Sequence, residues 1–62
     1  MTKDNAIALA LKISKRDKID MYIVVEGYAD EREWEAAREA DVDTYYNGAL
    51  AYLVASNGKI VL

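Results

Sequence analysis

The sequence predicts an α+β fold, a small four-stranded and largely antiparallel sheet in the order β-β-α-β-β with one helix packed on one face. Three observations predict it. Large apolar residues recur at every second position in residues 6–14 and again in 19–27. A capped, alanine-rich amphipathic stretch occupies residues 30–40. A Ser56-Asn57-Gly58-Lys59 turn signal divides the last apolar run from the final residues. At 62 residues the chain has room for one small domain, 1–62.

The first element is read from Ile7, Leu9, Leu11 and Ile13, which share one parity, while Ala6, Ala8, Ala10, Lys12 and Ser14 share the other. That is the period of a strand, and on a helix residues i and i+2 point about 200° apart. The competing reading is a helix, because Ala and Leu are good helix formers and Asp4 or Asn5 offers a cap. Lys15 to Lys18 reads as a charged turn joining this strand to the next in an antiparallel hairpin. Over residues 19–27, Ile19, Met21, Ile23 and Val25 alternate with Asp20, Tyr22, Val24 and Glu26, with the β-branched content expected of a strand.

The helix is placed at Asp30 to Ala40. Asp30 and Glu33 have the spacing of a capping box, and Trp34, Ala37 and Ala40, with Ala36 alongside, form a narrow apolar stripe. Residues 44–52 stay open between helix and strand, since Gly48 weakens a helix there. The Asn57-Gly58 pair predicts a type I′ hairpin turn that sets Ser56 opposite Lys59, Val54 opposite Val61 and Leu53 opposite Leu62.

Composition narrows the function. The chain has no Cys, no His and no Pro, so disulfides, thiolate zinc and histidine-based catalysis are outside its means. Its net charge is −3, its pI is near 4.7, and 53% of its residues are hydrophobic. Neither disorder nor strong nucleic-acid binding fits these values. The longest apolar run, Ala49 to Ala55, has seven residues and falls short of the ~18 that a membrane span needs. With no signal-like segment at the start, a cytoplasmic location is expected.

Charge is unevenly spread. Residues 1–20 carry a net +2, whereas residues 26–43 carry a net −6. On the expected helix Glu31, Glu35 and Glu39 stack four apart, a spacing that destabilises a helix by ~0.2–0.5 kcal/mol per like pair. With Asp30 and Asp41 they make an acidic patch suited to a basic partner surface. Trp34, Tyr45 and Tyr46 are the candidate aromatic anchors. Lys12, Lys15, Arg16 and Lys18 form a modest basic tip, too little for strong phosphate contact. One helix covers one sheet face, so Tyr22, Val24, Tyr52, Val54 and Val61 are expected on the uncovered face as an oligomer interface.

Catalytic chemistry finds few footholds. Asp41-Val42-Asp43 with Asn47-Gly48 superficially suggests a calcium loop, but the fifth, sixth and twelfth positions are Tyr45, Tyr46 and Tyr52. There is no phosphate-binding glycine loop, and Ser14, Thr44 and Ser56 have no histidine to activate them. No catalytic residues, metal or cofactor are expected. In size and acidity alone, with no shared motif, the chain resembles the small inhibitors that phages direct against host defences, anti-CRISPR proteins among them. That resemblance implies an inhibitor occupying a basic, nucleic-acid-binding surface of its target. The expected function is accordingly a non-enzymatic acidic protein-binding module. The alternative is a structural or regulatory homo-oligomer, a homodimer in its simplest form, assembling through the apolar sheet face.

Overall fold

A computed structural model of the chain describes residues 1–26, 33–44 and 50–61. Helix α1 spans Lys3–Asp17. Thr2 is its N-cap, with Oγ1 accepting from the Asn5 N–H at 3.2 Å. Asp4 in the first turn and Lys15 and Arg16 in the last suit the helix dipole at both ends. The helix stops at Lys18, which adopts the left-handed conformation (φ 56°) and donates its N–H to the Ser14 carbonyl at 2.8 Å. Residues 6–14 are therefore helical and not a strand, and 15–18 close a helix where a hairpin was expected. The residues that face the sheet are Ala6, Ala10 and Ser14, all fully buried and four apart. Ile7, Leu11 and Ile13 pack beside them at the flanks. The alternation of large residues thus reflects two flanks of a helix whose inner stripe is made of small ones.

Strand β1, Met21–Glu26, follows as expected. Strand β2, Glu33–Arg38, occupies most of the stretch expected to be helical. It pairs antiparallel with β1 along its whole length, from Met21 opposite Arg38 to Glu26 opposite Glu33. This ladder outweighs the helical preference of Glu and Ala, since tertiary pairing routinely overrides local propensity. A short helix, α2, covers Glu39–Thr44 and packs against β1 and β2. Strand β3, Leu50–Ser56, takes the other side of β1, and β4, Lys59–Ile60, returns beside it. The sheet order is β2-β1-β3-β4, antiparallel at every step.

An α+β fold with a four-stranded antiparallel sheet is thus what the chain adopts, in the order α-β-β-α-β-β. The final hairpin has its expected register: Ser56 is opposite Lys59, and Val61 donates its N–H to the Val54 carbonyl at 3.0 Å. Asn57 (φ 50°) and Gly58 (φ 80°) supply the two positive φ angles of the turn. Leu62, expected opposite Leu53, lies outside the described residues.

The core lies between α1 and the sheet. Met21, Ile23, Val54 and Ala55 meet Ala6 and Ala10 there, with Ile19, Trp34 and Ala36 packed at its margins. Ser14 joins three parts of the molecule. Its hydroxyl donates to the Ile19 carbonyl at 2.7 Å and accepts from the Gly58 N–H at 2.8 Å. On the outside, Arg38 of β2 reaches Asp17 at the end of α1 at 2.9 Å, beside the Arg16–Asp17 pair. The hydrogen bond from Arg16, reinforced by its charge and by Arg38, holds the Asp17 carboxyl below its usual range.

Candidate functional site

Because residues 33–38 form a strand, the stacked acidic stripe expected on a helix does not exist. Successive residues of a strand point to opposite faces, and residues four apart lie ~13 Å from each other rather than 6 Å. Glu35 sits half-buried on β2 opposite Val24, while Glu39 and Asp41 are exposed on α2. Asp30 and Glu31 lie outside the described residues.

What the fold assembles instead is a different acidic group. Asp20, just before β1, and Glu39 and Asp43 of α2 surround the half-buried Tyr22. Burial first, and then these three carboxylates, push the Tyr22 phenol above its ordinary value of 10.0. The same three acids line an open recess of about 580 Å³, shared with Ile19, Ala40 and Arg38. Arg38 is the one base on its wall and also reaches Asp17, which Arg16 shares, so three acids against one arginine leave the recess lining net negative. Asp20 is held in place by the Ser56 hydroxyl, which donates to Oδ1 at 2.5 Å. Thr44 caps back onto the Ala40 carbonyl at 2.8 Å and closes the last turn of α2. The sequence reading missed Asp20 and Asp43 because it counted acids along one helix. The available signal was an acid at each end of the β1–α2 region, which only the strand pairing brings together.

Of the aromatic candidates, Trp34 is the one within the described residues. Trp34 stands on the α1 side of the sheet, half-buried, with its ring 6.4 Å from that of Tyr52 at a tilt of 37° and Lys3 Nζ 5.4 Å above it. Tyr45 and Tyr46 lie outside the described residues. No protein-family model, curated protein or solved structure matches this chain. The site must therefore be read from its own chemistry.

The five residues expected to share an uncovered face do not do so. Val24 and Val54 are fully buried within the chain. The register sets Tyr52 opposite Ile23, on the α1 side, whereas Tyr22 belongs to the other face with Val24. Val54, two residues on from Tyr52, shares its face and enters the core, and a bulge where Met21 gives way to Tyr22 brings Ala55 opposite Met21 onto that face as well. Of the five, Tyr52 (47%) and Val61 (45%) are exposed, and Tyr22 is half-exposed.

The basic residues gather at the end of α1. Lys15 lies against Gly58 in the β3–β4 turn, with Lys59 next along the chain, while Arg16 is occupied by Asp17. Favourable interaction with the helix C-terminus accounts for these bases without a ligand. Among the described residues no group of three acidic side chains is placed to hold a metal ion, and no helix is long and apolar enough to cross a membrane.

Proposed function

We propose that this chain is a non-enzymatic acidic protein-binding module, one that occupies a basic, nucleic-acid-binding surface of another protein in the cytoplasm. The observation that carries the reading is the convergence of Asp20, Glu39 and Asp43 on one open recess lined by a single arginine. Carboxylates drawn from separate parts of the chain repel one another, and a cationic surface relieves that repulsion on docking. Asp41, exposed on the same short helix, adds a further acid to the element that supplies two of the three.

The test is capture of partners from host lysate by the tagged protein, beside a variant carrying Asp20→Asn, Glu39→Gln and Asp43→Asn. The captured partner should bind with an affinity that falls steeply with salt, and the triple variant should lose most of that binding and most of its salt dependence. Capture that is indifferent to both salt and the variant would refute the reading. Self-association is a second reading, favoured by a different observation at the sheet edge.

A further inference from the structure

The two edges of the sheet are built differently. At the β2 edge, the Trp34 N–H donates to the Met1 carbonyl at 3.1 Å, and the Met1 ammonium returns a bond to the Trp34 carbonyl at 3.2 Å. Glu33, Glu35 and Arg38 place charge along that strand. Short added pairing and charged side chains are the ordinary means of keeping a sheet edge from joining another. At the other edge, among the described residues, β4 reaches β3 at Val54, Ala55 and Ser56. Among the described residues no strand lies along the outer side of Leu50–Leu53. That stretch has no charge, no proline and no glycine, and it exposes Leu50 (63%), Tyr52 (47%) and Leu53 (39%). Among the described residues, an open backbone edge thus coincides with three exposed apolar side chains in four consecutive residues, without the protections present at β2.

We propose that the outer edge of β3 at Leu50–Leu53 pairs antiparallel with the same edge of a second copy of this chain, across a two-fold axis, and so joins two four-stranded sheets into one. Backbone that needs a ladder partner selects an extended strand as occupant. A second copy fits because antiparallel pairing of a segment with itself is isologous and closes at two chains. An uncharged segment also meets its own copy with no like charges opposed. Leu50 and Tyr52 line one face of the joined strands and Leu53 the other, so both faces gain apolar contact across the seam. The acidic recess takes no part, so this inference and the proposed function stand or fall separately.

The experiment is sedimentation equilibrium of the unmodified chain over a wide concentration range, with hydrogen exchange of the 50–53 amides read at both ends of that range. The mass should rise from 7.0 kDa toward twice that value, with little dependence on salt, and exchange at 50–53 should slow in step. A variant carrying Leu50→Lys and Tyr52→Lys, both at exposed positions, should stay monomeric with an unchanged circular dichroism spectrum. A monomer at every concentration would overturn the proposal, as would a dimer whose 50–53 amides exchange freely. Open-ended aggregates in place of a dimer, or protection of these amides only when another protein's strand is added, would also overturn it.

Discussion

At Ser14 one buried hydroxyl satisfies two backbone groups from distant parts of the chain. Ser14→Ala would leave the Ile19 carbonyl and the Gly58 N–H without that partner, at a cost of about 1–3 kcal/mol. A lower Tm by thermal circular dichroism checks this, and an unchanged Tm would show that water replaces the hydroxyl. Gly58 itself has two reasons to remain glycine. Its φ of +80° disfavours a side chain, and an added Cβ would sit 3.0 Å from Lys15 Cγ and 3.2 Å from Lys15 Cα. Gly58→Ala should therefore destabilise by about 1–2 kcal/mol from backbone strain alone. Asn57→Gly, which relaxes the neighbouring positive φ, should not destabilise comparably. Tyr22 gives the pH dependence. Its phenol ionises less readily in the folded chain than at the ordinary 10.0, so the stability it contributes is complete below that pH and is lost as pH rises through the folded value. Alkaline unfolding monitored in Tyr22→Phe should lack this component.

At the scale of elements, strand β1 and the β3–β4 hairpin were legible because each rests on a local rule, β-branched alternation in one and Asn-Gly turn geometry in the other. Helix α1 was not legible from its large residues. The positions that touch the sheet are Ala6, Ala10 and Ser14, so the apolar residues with the greatest bulk mark the flanks and mimic period 2. Strand β2 was hidden for the opposite reason. Glu-Trp-Glu-Ala-Ala-Arg favours a helix locally, and only pairing with β1 makes it a strand. The acidic site inherited that error, since a helix brings Glu35 and Glu39 together and a strand does not. The small stripe also makes a prediction. Ala10→Leu would force α1 away from Ile23 and Val54, at about 1–3 kcal/mol for overpacking. Leu9→Ala, at a position 36% exposed, should cost much less in the same urea melts.

For the whole molecule, the limiting quantity is the size of the core. A single core in so short a chain supplies only about 3–5 kcal/mol of net stability. Ile23 is 1% exposed at the centre of the core, and truncating such a residue costs about 2–5 kcal/mol. Ile23→Ala should therefore populate the unfolded state heavily at room temperature, visible as lost strand signal in circular dichroism. Recovery of that signal at high protein concentration would mean that association supplies the missing stability. Charge and apolar surface are also segregated at this scale, with the acidic recess beside α2 and the bare edge on β3.

The strand order has a kinetic consequence. Strands β2 and β3 both run antiparallel to β1 and lie on either side of it, so the chain must pass across β1 between laying down one and the other. Helix α1, β1 and β2 can assemble from neighbouring segments, but the flank of β1 that β3 will occupy stays open until residues 50–56 arrive. Closing that long loop is the entropically slow step. Until it is complete, the most apolar strand of the molecule and the vacant flank of β1 are both available to a neighbouring chain, and the partitioning between folding and capture is decided in that interval.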